Sequence, residues 1–133
     1  LMRRHDPRAT LHAPGDLARD LNVRCCELHR YVVGGGLLDR NHRDSGSMLT
    51  MSVTLSDPAA VEGGHFVTWP GAHGQDEWTD DDTPTLHPIG RGDAILFRSE
   101  DLHNVLPVTD GGPRYSLVVE LWAGPVNNEH RHA

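Results

Sequence analysis

The chain has 133 residues, with 12 basic against 19 acidic side chains and a formal charge of −7, a length that suits about one domain and leaves no room for a second. No cluster of lysines and arginines supplies the cationic footprint that a phosphate backbone requires, so nucleic acid is not an expected partner. No apolar run approaches the ~18 residues that cross a bilayer, and the start Leu1-Met2-Arg3-Arg4 carries no signal-peptide core, so we expect a soluble protein without membrane attachment. The leading Leu1 suggests a chain shortened at its N-terminus; compartment and oligomeric state are not indicated.

Taken in chain order, the first expected element is one short helix, started by Pro14-Gly15-Asp16, with Leu17 and Leu21 four apart on one face. From there the chain reads as strands at 23–33, 48–56, 65–69, 94–98, 102–108 and 115–122, rich in Val, Leu, Thr and aromatics and bounded by Gly, Pro and Asp. Cys25 and Cys26 are adjacent, cannot staple distant segments, and read as ordinary strand residues. In 48–56 the alternation is clean: Leu49, Met51, Val53 and Leu55 share one face, Thr50, Ser52 and Thr54 the other, and one face should be core. Gly63-Gly64 and Gly92-Asp93 read as turns. The stretch 70–91, with several glycines and prolines and the acidic run Asp80-Asp81-Asp82, is too polar for a tight turn and reads as a loop, either a solvated excursion or a lid. Short strands at this density predict an all-β sandwich or barrel with its core at about 23–122.

Ten histidines are the unusual feature of the composition, because imidazole is the commonest metal ligand. In an extended segment His42 and Asp44 point the same way, so both can reach one ion. Taken alone the pair says little, since about one His-x-Asp is expected by chance in such a chain. Later residues give it weight. His103 stands at the head of an expected strand, and after a turn at Asp110-Gly111-Gly112-Pro113 comes Arg114-Tyr115-Ser116 at the head of the last one. Two histidines and a carboxylate on one face of a metal form the facial triad of non-haem iron(II) oxygenases, which leaves positions open for a chelating cosubstrate and oxygen. Arg114 can then grip a carboxylate with its planar fork, with Ser116 on the same face as a further donor.

In order and wording these residues resemble the 2-oxoglutarate and Fe(II)-dependent dioxygenases, and within them the prolyl 4-hydroxylase-like branch, over about residues 28 to 122. The matching blocks are Arg30-Tyr31-Val32-Val33-Gly34-Gly35-Gly36 ahead of His42-Arg43-Asp44, then Leu49-Thr50-Met51-Ser52-Val53-Thr54-Leu55-Ser56-Asp57, then Glu62-Gly63-Gly64-His65-Phe66. After the loop come Gly92-Asp93-Ala94-Ile95-Leu96-Phe97, His103-Asn104-Val105-Leu106-Pro107-Val108 and Gly112-Pro113-Arg114-Tyr115-Ser116-Leu117. The resemblance implies a double-stranded β-helix, or jelly roll, formed as a single domain over 1–133. It implies His42, Asp44 and His103 as catalytic iron ligands, Arg114 as anchor of the distal carboxylate of 2-oxoglutarate, and Tyr31 and Ser116 as its assistants. Fe(II), 2-oxoglutarate and O2, with ascorbate as supporting reductant, would then hydroxylate a C–H bond of a peptide or small-molecule substrate, releasing succinate and CO2. Collagen-type prolyl hydroxylases generally carry lysine at the position of Arg114, so substrates other than proline stay open.

His65 and His73 fall outside the ligand positions of these blocks and are read as non-ligands. Trp69, Trp78 and Trp122 are read as packing residues, with Trp78 also placed to cover substrate. The nucleic-acid demethylating branch typically has a second arginine where this chain has Glu120, and the halogenating branch lacks a carboxylate where this chain has Asp44. A reading from another class is a non-catalytic metal-binding β-sandwich, either a cupin-type sensor or a decayed interaction module.

Overall fold

The structure is a computed structural model and describes residues 21–70 and 77–127. Among these residues the strands are β1 (Asn22–Tyr31), β2 (Leu49–Thr54), β3 (Val61–Gly63), β4 (Phe66–Thr68), β5 (Thr85–Leu86), β6 (Ala94–Arg98), β7 (His103–Val105), β8 (Val108–Gly111) and β9 (Arg114–Trp122), with one 3-10 turn at Pro58–Ala60. The short helix expected from Pro14 lies outside the described residues, which contain no α-helix and none long and apolar enough to cross a membrane.

A four-stranded sheet of order β1-β9-β2-β6 faces shorter strands arranged as β5-β4-β7 and β3-β8. All ladders are antiparallel, and strands distant in sequence lie side by side, the connectivity of a jelly-roll sandwich. Aromatic rings join the layers: Phe66 of β4 lies 5.2 Å from Phe97 of β6, and the His103 ring of β7 lies 4.6 Å from Phe97.

The alternation in β2 resolves in favour of its polar face. Thr50, Ser52 and Thr54 form the buried face, whereas Leu49, Met51 and Val53 look outward and are only half-buried. Register extends both faces across the sheet. Thr50 lies beside Phe97 and Glu120, while Leu96, Met51, Val119 and Cys26 form an outer row with Ala94, Val53, Leu117 and Leu28 beside it. Buried polar side chains outnumber buried apolar ones, eleven to six among the described residues, so this interior is built around polar groups rather than a plain apolar core.

The single strand expected at 102–108 is two strands. Pro107 has no N–H for a ladder, and the chain turns there: β7 pairs with β4, and β8 pairs with β3. β8 then runs through Asp110 and Gly111, where a turn was expected, and the reversal is confined to Gly111-Gly112-Pro113, with φ of +68° and +83° at the two glycines. The segment 70–91 is not all loop either, because Thr85–Leu86 pairs with β4. Its first described part packs down firmly. The indoles of Trp69 and Trp78 stack with centroids 3.9 Å apart and both donate to Asn104 Oδ1, at 2.6 and 2.8 Å. The Asn104 amide donates to the Asp39 carbonyl at 2.9 Å, and Arg40 lies over the Trp78 ring while bonding Asp80 at 2.6 Å. Asn104 thus ties the segment that leads into His42 to the strand that starts with His103.

Candidate metal centre

Asp44 is buried, its backbone N–H donating to the Ser99 carbonyl at 2.9 Å, and this fixes where its carboxylate points. One oxygen, Oδ2, accepts from the Thr50 hydroxyl at 2.7 Å, and Thr50 in turn bonds Ser99 Oγ at 2.9 Å. Two imidazoles converge on this carboxylate: His42 Nε2 lies 3.4 Å from Oδ1 and His103 Nε2 3.4 Å from Oδ2. Potential ligand atoms of the three residues all lie within 4.8 Å of one another. His103 Nδ1 donates to the Asp101 carbonyl at 2.8 Å, which selects the tautomer whose Nε2 lone pair is available to a metal. His103 is buried against Phe66 and Phe97, whereas His42 is partly exposed, so the cluster is walled on one side and open on the other.

Burial alone would raise the Asp44 pKa, but the hydrogen bonds from His42 and Thr50 and the His103 charge outweigh it and hold the carboxyl at about 2. Burial pushes His103 below the ordinary imidazole value against the pull of Asp44 and the Asp101 carbonyl. Both shifts favour the forms a cation needs, an ionised carboxylate and a neutral imidazole. Two nitrogens and one carboxylate around a common point fit a divalent transition metal with half of its coordination sphere left to exogenous ligands.

Arg114 is buried at the head of β9, directly opposite Tyr31 of β1, with its guanidinium carbon 5.9 Å from the Tyr31 ring centre. Its Nη1 donates to Ser116 Oγ at 3.2 Å. Burial pushes the guanidinium down from its usual value and the Tyr31 hydroxyl up from its own, leaving one cation and one neutral donor at neutral pH. Arg114 lines a cavity of about 340 Å³ together with Thr54, Gly64 and Phe66. Phe66 is therefore a shared wall, touching His103 on one side and this cavity on the other. Thr54 Oγ1 is buried in the same wall without a hydrogen-bond partner, so an oxygen-bearing ligand beside Arg114 would satisfy it. The donor set fits a carboxylate.

Several of these parts were not singled out in the sequence. Thr50 and Thr54 were visible only as one phase of an alternation. Gly64 does more than turn: its φ is +64°, and a Cβ there would come within 2.7 Å of Arg114 Cδ, so the glycine makes room for the arginine stem. His65 is exposed at the cavity wall and does not join the cluster, and His73 lies outside the described residues. Trp78 stacks on Trp69, and the Trp122 indole donates to the Pro125 carbonyl at 2.8 Å. Glu120 is fully buried, accepting from Ser47 and lying 3.4 Å from Arg24, so it ties the loop after Asp44 to the sheet.

The family model of the 2OG-Fe(II) oxygenase superfamily matches residues 26–122. The chain belongs to this superfamily. Among solved structures it is similar to an oxidoreductase of the 2OG-Fe(II) oxygenase family from Burkholderia pseudomallei, with 21% identity and a TM-score of 0.58 over 83% of this chain. The match covers 47% of that protein, so the present chain spans about half of its length, and the likeness is one of fold. A RmlC-like cupin protein from Desulfovibrio desulfuricans matches at 16% identity with a TM-score of 0.42, over 77% of this chain and 80% of that one. No curated protein sequence matches. The matched superfamily is one of 2OG-Fe(II) oxygenases, and the His42, Asp44 and His103 cluster suits iron.

Proposed function

We propose that the chain is a hydroxylase of the prolyl 4-hydroxylase-like branch, folded as one domain with its core at about 23–122, that oxidises a C–H bond of a peptidyl proline, an amino acid or a small metabolite. His42, Asp44 and His103 hold the iron, and Arg114, Ser116 and Tyr31 hold the distal carboxylate of 2-oxoglutarate. The observation that carries this reading is the adjacency of a buried two-histidine, one-carboxylate cluster and a buried guanidinium in a cavity that shares Phe66 with it. When bound, iron, 2-oxoglutarate and oxygen supply the oxidising power, with succinate and CO2 as by-products.

The rest of the chemistry belongs to side chains of this chain. Thr50 holds Asp44 Oδ2 at 2.7 Å and so fixes the carboxylate with Oδ1 turned toward His42 Nε2, where a cation would lie between them. The Asp101 carbonyl keeps the His103 proton on Nδ1. Phe66 and Phe97 exclude water from the inner side of the cluster, and the partly exposed side at His42 admits a substrate. Arg114 neutralises the far end of a dianion through a charge-assisted contact worth about 1.5–3 kcal/mol.

The test is succinate production, read by mass spectrometry, from iron-reconstituted protein with ascorbate and 2-oxoglutarate against panels of peptides and amino acids. Slow succinate formation is expected even without the true substrate, and Asp44→Ala should abolish it. Folded protein that binds iron and 2-oxoglutarate yet yields no succinate with any panel member would favour a sensor, and protein that binds neither would favour a non-catalytic module.

A further inference from the structure

The inner face of β1 carries Glu27, His29 and Tyr31 at successive i, i+2 positions, paired across the ladder with Val118, Ser116 and Arg114. These side chains form a line. Glu27 Oε2 lies 2.9 Å from His29 Nε2, His29 Nδ1 lies 3.3 Å from the Tyr31 hydroxyl, and the Tyr31 ring centre lies 5.9 Å from the Arg114 guanidinium carbon. The line runs from the partly exposed Glu27 to the buried guanidinium.

We propose that His29, backed by Glu27, is a positioning residue for the anion site: it takes up a proton when an anion binds at Arg114 and thereby turns the Tyr31 hydroxyl into a donor toward that anion. This rests on the reading of Arg114 as a carboxylate anchor. The reason is a count of protons. A neutral His29 that donates Nε2–H to Glu27 has only a lone pair at Nδ1, so it takes the Tyr31 proton and leaves the phenol oxygen with lone pairs alone. A carboxylate at Arg114 then finds the guanidinium but no donor on Tyr31. An imidazolium donates from both nitrogens, to Glu27 and to the Tyr31 oxygen, and frees the Tyr31 O–H for the carboxylate. The proton comes from solvent, which reaches His29 and Glu27 at the sheet edge.

The charged and titratable groups around His29 agree with this direction. Glu27 and Tyr31 flank it on its own strand. On β9, the strand paired with β1, Arg114 faces Tyr31, while Glu120 lies further along opposite Cys25 and is engaged by Arg24 and Ser47. Glu27 is thus the anion in contact with His29 among the described residues, in line to accept from its Nε2–H. Tyr31 stays protonated because burial raises its pKa, so it has a proton to give.

The test is calorimetric binding of 2-oxoglutarate to anaerobic Fe(II)-loaded protein at pH 7.5, in two buffers of different ionisation enthalpy, which reads affinity and proton uptake together. Parent protein should take up a substantial fraction of one proton on binding. His29→Gln should lose that uptake and weaken binding about tenfold with iron affinity unchanged, and Glu27→Gln, at the more exposed end, should reduce both effects in the same sense. In a Tyr31→Phe background, His29→Gln should cost nothing more, because its effect passes through the phenol. Unchanged uptake in His29→Gln, or losses that add in the double variant, overturn the inference while leaving the Arg114 anchor intact. Parent protein that loads iron but binds no 2-oxoglutarate would instead overturn the anchor, and this inference with it.

Discussion

The metal cluster and the Arg114 pocket share one interior and one wall residue, Phe66, yet they are built in opposite ways. His42 and Asp44 come from an irregular segment, and their aim depends on hydrogen bonds from elsewhere: Ser99 holds the Asp44 backbone, Thr50 its carboxylate, and Asp101 the His103 ring. Arg114, Ser116 and Tyr31 take no such props from irregular segments. They sit on the long β1–β9 ladder, whose register alone places them together, and what they require from elsewhere is space, given by Gly64. The cluster should therefore fail through the loss of single polar contacts, the pocket through the loss of volume or charge.

The largest expected effect is on the cluster itself. His103→Ala removes one of its two nitrogens and should reduce Fe(II) affinity by more than two orders of magnitude; a variant that binds iron as tightly as the parent would remove His103 from the ligand set. Arg114→Ala should raise the 2-oxoglutarate requirement at least about tenfold with iron binding nearly intact. Loss of iron in the same variant would mean that the two regions are not separable. Gly64→Ala should have the same profile by a steric route, since its methyl group would meet the arginine stem, and an unchanged 2-oxoglutarate affinity would place the arginine stem elsewhere.

Thr50→Val tests the props. It keeps the shape of the side chain and deletes the bond to Asp44 Oδ2, so iron affinity should fall roughly tenfold while 2-oxoglutarate binding to the protein that still holds iron is unaffected. Acidification should show the smallest change over the neutral range. His103 is held below the ordinary imidazole value of 6.5, so its neutral, ligating form persists as pH falls to that value, and iron occupancy should decline only below about pH 6. In the metal-free protein the sign is the same. The stability that a neutral His103 contributes is complete above 6.5 and is lost as pH drops through its lower folded value. That from an ionised Asp44 is complete above 3.8 and is lost as pH falls through about 2. Iron content against pH and thermal unfolding of the metal-free protein read the two separately; occupancy that falls already between pH 7.5 and 6.5 would contradict the lowered His103 value.

Much of this was legible in the sequence because it is a matter of order and period. The chemistry-bearing residues stand in an order that matches the blocks of one superfamily, and strands such as β2 and β9 announce themselves by alternation and β-branched content. Period two defines two faces but cannot say which one looks inward, and hydrophobicity alone would have put Leu49, Met51 and Val53 inside. The tertiary structure decided otherwise: the sandwich encloses a polar site, so Thr50, Ser52 and Thr54 turn inward, and the apolar row with Leu28 and Leu96 is left on the outer face. The division of the strand at Pro107, the tie of Asn104 to Trp69 and Trp78, the room Gly64 leaves for Arg114, and the burial of Glu120 beside Arg24 were likewise settled only by partners far along the chain. A sequence states what each residue can donate, accept or bury, and only the packing of distant strands decides which partner it meets.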